Sequence, residues 1–217
     1  MSTQGGARFQ AAVVPVTPFQ QNCLLIWDSS SMKGAVIDPG GDVPRIKSAI
    51  EEVGMEVEQI ILTHGHIDHA GGADEMREIY GCQIIGPHED DLFLLEGLEK
   101  QGQEYGIAGS RNVMPDQWLN EGDSVKMAGL DWEIFHCPGH SPGSVVFFCD
   151  SGRFAIVGDV IFEGSVGRTD LPRGDHDALI ASIKEKLLPL GDDIQFVPGH
   201  GGASTFGKER RTNPFLQ

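Results

Sequence analysis

The sequence predicts a single α/β domain spanning residues 1–217, and three observations carry that prediction. Short apolar runs of strand character alternate with segments of helical spacing along the chain. Four of those runs end in a histidine or an aspartate, the arrangement of side chains presented at the edge of a sheet. The 217 residues, 40% apolar and 22% charged, suit one sizeable core, and no linker or low-complexity stretch divides them.

The opening reads as strands at Phe9 to Val16, Asn22 to Trp27 and Ala35 to Ile37, with Ser29 to Gly34 as the turn between the last two. Asp38-Pro39-Gly40-Gly41 closes the third. A helix is expected after Asp42, with Pro44 in its first turn and Ile46, Ala49, Ile50 and Val53 on one face. Val57 to Leu62 is a buried strand, and Ala70-Gly71-Gly72 leads tightly into a helix over Asp74 to Tyr80. A short strand, Gln83 to Ile85, follows. The pattern then loosens: Asp90 to Leu98 is helical, and Glu99 to Arg111 reads as a polar excursion across the functional face. Strands resume at Ser124 to Met127 and Leu130 to Phe135, joined at Ala128-Gly129. Val145 to Phe148 and Phe154 to Val157 are joined by Asp150-Ser151-Gly152. His176 to Leu188 has helical spacing with Asp175 as its N-cap, and Ile194 to Val197 is the last strand.

A net charge of −16 repels phosphate backbones and argues against nucleic acid as a partner. No run of about 18 apolar residues is present, so no membrane span is expected. Met1 to Gln10 lacks the basic flank and apolar core of an export signal, and a cytoplasmic location is expected. The four cysteines, at 23, 82, 137 and 149, form no C-x-x-C pair and read as free thiols. Cys137 reads as a small buried residue at a strand end. Oligomeric state is not legible.

The chemistry lies in Thr63-His64-Gly65-His66-Ile67-Asp68-His69, which follows the apolar run ending at Leu62. Imidazole and carboxylate are the ligands that zinc, iron and manganese prefer. In extended backbone, residues i and i+2 share a side, so His64 and His66 can grip one ion while Asp68 and His69 turn toward a second. Three further strands lead to His140, Asp159 and His200, each after a glycine or a Pro-Gly pair. Seven candidate ligands exceed one tetrahedral zinc and suit two ions sharing a bridge. Carboxylate bridges two ions where neutral imidazole does not, which singles out Asp159. Which histidine serves which ion does not follow from spacing.

The motif His64-x-His66-x-Asp68-His69, with His140, Asp159 and His200 behind it, resembles the metallo-β-lactamase superfamily. The resemblance runs from Thr17-Pro18-Phe19-Gln20-Gln21-Asn22-Cys23 to Asn213-Pro214-Phe215. It is nearest to the glyoxalase II-like enzymes, and within them to short bacterial hydroxyacylglutathione hydrolases of the YcbL type. Gly164 to Asp170 and Lys186 to Asp193 carry that last likeness. The resemblance implies an αββα sandwich with two divalent ions at one edge, zinc first and iron or manganese as alternatives. It assigns His64, His66 and His140 to one ion, Asp68, His69 and His200 to the other, and Asp159 to the bridge. The implied reaction is hydrolysis of S-lactoylglutathione or a similar thioester, a step of methylglyoxal detoxification. Asp68 would aim the attacking water, and a thiolate leaves readily because its conjugate acid has a pKa near about 8.5.

Larger relatives carry a C-terminal helical domain that contacts glutathione; little chain follows His200, so that domain is expected to be absent. Arg168 matches a basic residue that holds the glutathione glycine carboxylate, or is a solvated arginine after a turn. Lys208 and Arg211, with Arg210, are a second candidate substrate-binding cluster, or a solvated helix face. Tyr105 or Trp118 could wall the pocket or belong to the core. His88, His136 and His176 fall outside the ligand pattern, with His136 a candidate support for a ligand loop. The strongest rival is a persulfide dioxygenase of the same superfamily, with a single iron on His64, His140 and Asp159. β-Lactamase and nuclease readings are weaker: the first is usually exported, the second conflicts with the charge.

Overall fold

Apolar runs with no polar alternation need cover on both faces, and the chain supplies it by stacking two sheets between helices. The computed structural model describes residues 9–217. β1 (Phe9–Val16), β2 (Gln21–Asp28) and β3 (Lys33–Ile37) form an antiparallel meander. Helix α1 (Val43–Val53) then crosses to β4 (Glu56–Ile61), which runs parallel to β3. Two more helices, α2 (Ile67–Ala70) and α3 (Ala73–Tyr80), lead to β5 (Gln83–Ile85), parallel to β4. The first sheet is therefore ordered β1-β2-β3-β4-β5.

Helices α4 (Leu92–Leu95) and α5 (Leu98–Tyr105) precede the second sheet. That sheet comprises β6 (Ser124–Met127), β7 (Leu130–His136), β8 (Val145–Cys149) and β9 (Phe154–Gly158), then β12 (Gln195–Pro198) and β13 (Ser204–Thr205). Its order is β13-β12-β9-β8-β7-β6. A small hairpin of β10 (Ile161–Phe162) and β11 (Ser165–Val166) stands beside it. Helix α6 (His176–Ala181) lies between β9 and β12 in the chain, and α7 (Phe206–Thr212) closes it.

The side-chain alternation of β2 shows the layering. Leu24 and Ile26 face the second sheet and pack with Ile37, Ile61, Trp132, Ile134 and Phe147. Leu25, between them, points the other way into a cluster with Val36, Ile60, Ile46, Ile50 and Met76 under the first helices. On the far side, Val146, Val157 and Phe196 pack with Leu179, Ile183 and Phe206. Three apolar layers in series make an αββα sandwich.

The expected strands are present with boundaries moved by a residue or two. Ala128 and Gly129 both adopt positive φ (50° and 74°), the tight hairpin their sequence suggests. Four features differ from expectation. Asp90 to Leu98 is not one helix: a tight turn over Glu89–Asp91 and α4 come first, and the chain breaks at Glu96-Gly97 before Leu98 opens α5. The polar Glu99 to Arg111 stretch begins as helix α5, because Leu98 and Gly102 are buried while its other face stays polar. The segment His176 to Leu188 is not one regular helix: α6 ends at Ala181, a wider π-type turn follows over Ser182–Leu187, and Pro189 stands in a tight turn over Leu188–Leu190. The two-residue strands β10, β11 and β13 are too short to leave a period in the sequence. Residues 1–8 of the segment read as lacking an export signal lie outside the described residues. Among the described residues no helix is long and apolar enough to cross a membrane.

Candidate metal centre

The two sheets are stitched together at one edge. Val145 N–H, at the start of β8, donates to Thr63 O after β4 at 2.8 Å, and Asn22 N–H, at the start of β2, donates to Gly199 O after β12 at 2.7 Å. The ends of β4, β7, β9 and β12 thus meet, and the histidines and aspartates that follow them share one volume.

Each ligand loop has its own anchor. Thr63 donates its N–H to Asp38 Oδ1 at 2.8 Å and its hydroxyl to Asp38 Oδ2 at 2.6 Å, which fixes the exit from β4 just before His64. His66 stands in extended backbone as the residue before α2, and the first turn of that helix delivers Asp68 and His69. Gly40 makes this turn possible: a Cβ there would lie 1.5 Å from Asp68 O. Asp91, fully buried, ties two loops together by accepting from Gly65 N–H at 2.7 Å, Gly143 N–H at 2.6 Å and the Ser141 hydroxyl at 2.8 Å. Gly199 keeps the centre open, since a Cβ on it would meet Asp159 Oδ1 at 2.1 Å.

The outward hydrogen bonds set the imidazole tautomers. His140 Nδ1 lies 2.8 Å from Arg168 O and His200 Nδ1 3.2 Å from Phe19 O. A carbonyl only accepts, so both nitrogens carry the proton and both Nε2 lone pairs face inward. His69 Nδ1 likewise donates to Asp38 Oδ2 at 2.9 Å. Inside, His66 Nδ1 and His140 Nε2 are 2.9 Å apart. Asp159 lies between two groups: Oδ2 is 3.5 Å from His140 Nε2 and 3.6 Å from His200 Nε2, while Oδ1 is 3.4 Å from His69 Nε2. Asp68 Oδ2 stands 3.2 Å from His200 Nε2 and 4.0 Å from His69 Nε2.

These contacts fit cations better than they fit one another. Bonds of about 2.1 Å around a tetrahedral ion place ligand atoms about 3.4 Å apart. His64, His66 and His140 offer one such triad, and Asp68, His69 and His200 another, each with ligating atoms within 4.8 Å. His64 Nε2, His69 Nε2 and Asp159 Oδ1 are buried with no hydrogen-bond partner among the described residues. Three orphaned polar atoms at one point are costly unless something positive joins them. The clusters are therefore able to hold metal ions.

Electrostatics separates the histidines. Burial, then the neighbouring imidazoles, keeps His64 well below its usual pKa, and burial lowers His66 to about 3. Burial also opposes charge on His69, but Asp159, Asp68 and Asp38 outweigh it and push its pKa up. The same balance, read from the other side, holds Asp159 below the usual carboxylate range.

Of the basic residues singled out in the sequence, Arg168 lines the cavity that opens on this edge, held by Asp170 through two bonds of 2.7 Å. Lys208 and Arg211 do not line it. Helix α7 turns Lys208 onto Glu163 and Arg211 toward Asp192 at 3.5 Å. Tyr105 lines the cavity, whereas Trp118 packs in the first-sheet core. Cys137 is buried, its thiol pushed up to about 12 by that burial. His136 donates from Nε2 to Pro142 O at 2.8 Å and stacks on His88 at 4.1 Å, while His176 is exposed. Sequence reading missed Asp38 and Asp91 as supports. Asp38 shares the strand-end position of the ligands and could have been found; Asp91, in the loosely patterned segment, gave no signal.

Residues 16–200 match the metallo-β-lactamase superfamily model, and the chain belongs to that superfamily. It is 47% identical to the hydroxyacylglutathione hydrolase GloC of Haemophilus influenzae, over 94% of this chain and 96% of that one. Among solved structures, BLEG-1, described as a B3 metallo-β-lactamase, is 32% identical with a TM-score of 0.87, covering 95% of this chain and 99% of that one. TTHA1623, solved in a di-iron-bound form, is 37% identical with a TM-score of 0.84, covering 94% and 100%.

Proposed function

We propose that this protein hydrolyses glutathione thioesters of the S-lactoylglutathione type to glutathione and a 2-hydroxy acid. The observation that carries the reading is the meeting of seven histidine and aspartate side chains from four strand ends, with three buried atoms left unpartnered. The 47% identity to GloC over nearly the full length of both chains supports the substrate class.

His64, His66 and His140 would hold one divalent cation and Asp68, His69 and His200 a second, with Asp159 between them. Zinc is the proposed occupant, and iron or manganese suits the same nitrogen and oxygen set. Such cations, when bound, lower the pKa of water and polarise a carbonyl. Burial favours the neutral form of Asp68, but His69 and the hydrogen bond from His200 outweigh it and keep the carboxylate ionised. An ionised Asp68 on the cavity wall accepts a hydrogen bond from the attacking water and aims its lone pair at the thioester carbon. His140 and His200 are kept in one tautomer by Arg168 O and Phe19 O, so their Nε2 lone pairs already face the centre. The glutathione thiolate leaves without a general acid, its conjugate acid having a pKa near about 8.5. Arg168, on the same wall, offers a cation to a glutathione carboxylate. A cytoplasmic site of action and a role in methylglyoxal detoxification go with this reading.

Elemental analysis of the purified protein, run beside a panel of glutathione thioesters, tests metal count and reaction together. Two ions per chain and thioester hydrolysis are expected, and Asp159→Ala should lose both. A single iron with oxygen uptake on glutathione persulfide would replace this reading with the dioxygenase. The similarity to BLEG-1 makes a β-lactam the natural second control; turnover of it in preference to every thioester would also overturn the proposal.

A further inference from the structure

The cavity beside the seven side chains is larger than a lactoyl group requires. Its volume is about 920 Å³, the scale of pockets that enclose an extended ligand. Away from the histidines its walls are mostly apolar, with Phe19, Phe93, Tyr105, Phe162, Val166 and Leu171 beside the polar Gln101, Ser165 and Arg168. Phe162 reaches the reacting edge, its ring 6.4 Å from that of His200. Phe93 is backed by the Arg173 guanidinium 4.2 Å from its centroid, which holds the ring as a fixed surface. Phe19 and Tyr105 meet edge-on at 6.0 Å, and each is about half exposed (46% and 50%). They belong to a small set of large apolar side chains that the described surface leaves open, and both sit on this one cavity. Paired aromatic rings left in water at a cavity wall mark a place where an apolar group is meant to bind.

Charge recognition in the same cavity is thin. Apart from the histidines, Arg168 is the one cationic side chain among its described lining residues, and it is shared with Asp170. Lys208 and Arg211 lie elsewhere, and the chain as a whole carries −16. A glutathione moiety bears two carboxylates and one ammonium, so this single cation can meet only one of its anionic ends. Contact area is then supplied mainly by the other arm of the thioester.

Resting on the hydrolase reading above, we infer that the site selects among thioesters by the apolar bulk of the acyl group, read by Phe19, Phe93 and Tyr105. Its preferred substrates carry an acyl chain longer than lactoyl. The reaction is unchanged: a water oxygen bonds to the carbonyl carbon, the carbon–sulfur bond breaks with its electron pair on sulfur, and a carboxylic acid and a thiol result.

The test uses the metal-loaded protein and two series of equal chain length. Acetyl, butyryl, hexanoyl and octanoyl glutathione thioesters report kcat/KM, with the lactoyl thioester alongside. S-Ethyl to S-octyl glutathione thioethers, which cannot be cleaved, report binding by calorimetry. Each added methylene up to hexanoyl should raise kcat/KM, and tighten thioether binding, by about two- to fourfold. The double variant Phe19→Ser, Tyr105→Ser should flatten both slopes; both side chains are half exposed, and a melting curve verifies that the variant folds. Hydrolysis of all the thioesters with flat or falling slopes overturns this inference and leaves the hydrolase standing. No hydrolysis of any thioester, with the thioether slope intact, does the reverse.

Discussion

Asp38 does not line the cavity, yet three hydrogen bonds depend on it. Its two oxygens accept from Thr63 N–H, the Thr63 hydroxyl and His69 Nδ1–H, and it does so at φ 51°, in the left-handed region. A residue held there contributes through the ligand it orients: the imidazole of His69 keeps its lone pair inward only while Nδ1 has an acceptor. In Asp38→Asn an amide N–H2 takes the place of one acceptor and confronts a donor. Affinity for the ion on His69 should fall about 10- to 100-fold, more than affinity for the ion on His64, which Asp38 supports only through Thr63, as measured by chelator competition. Equal loss of both ions, or of neither, would contradict the assignment of His69 to its own group. Asp91 works in the same way between Gly65, Ser141 and Gly143, and its buried carboxyl is raised by desolvation against those donors.

At the scale of elements, function depends on how closely backbone segments approach. The turn after β3 lies against α2, and no side chain fits between Gly40 and Asp68 O. Gly40→Ala should cost about 1–3 kcal/mol or more in urea unfolding, because backbone, not a flexible side chain, must move. Since the displaced segment carries Asp68 and His69, metal content should drop with stability; a stable, fully loaded variant would show that the contact is slack. Most elements were legible because their periods are local: Ile46, Ala49, Ile50 and Val53 give one face of α1, and the continuous run in β2 signals cover on both sides. Helix α5 escaped because only Leu98 and Gly102 are buried in it, too few to leave a stripe. The break after Ala181 escaped for the opposite reason, since Leu179, Ile183 and Leu187 keep an apolar spacing through α6 and the wider turn alike.

For the whole molecule, the buried cluster couples metal to stability. His64 and His69 are fully buried, Asp159 nearly so, and without cations their inward atoms lack partners. Stripping the metals with a chelator should lower Tm by about 5–10 °C per ion at loading a hundredfold above Kd, and readdition should restore it. An unchanged melting curve would mean that the seven groups do not hold ions in the folded state.

By itself, the sequence determined the alternation of strands and helices and the presence of ligand-type residues at four strand ends. Both are local properties, set by side-chain period and by the turns that proline and glycine permit. Only the tertiary structure decided which residues stand together. Asp91 meets Gly143 across 52 positions and Asn22 meets Pro198 across 176, distances over which no sequence period carries information. The same long-range packing paired Lys208 with Glu163 and Arg211 with Asp192, left Arg168 on the cavity wall, and set four aromatic rings, Phe19, Phe93, Tyr105 and Phe162, into that wall. Chemical type is written residue by residue, but the geometry of a site arises from contacts between segments far apart in the chain.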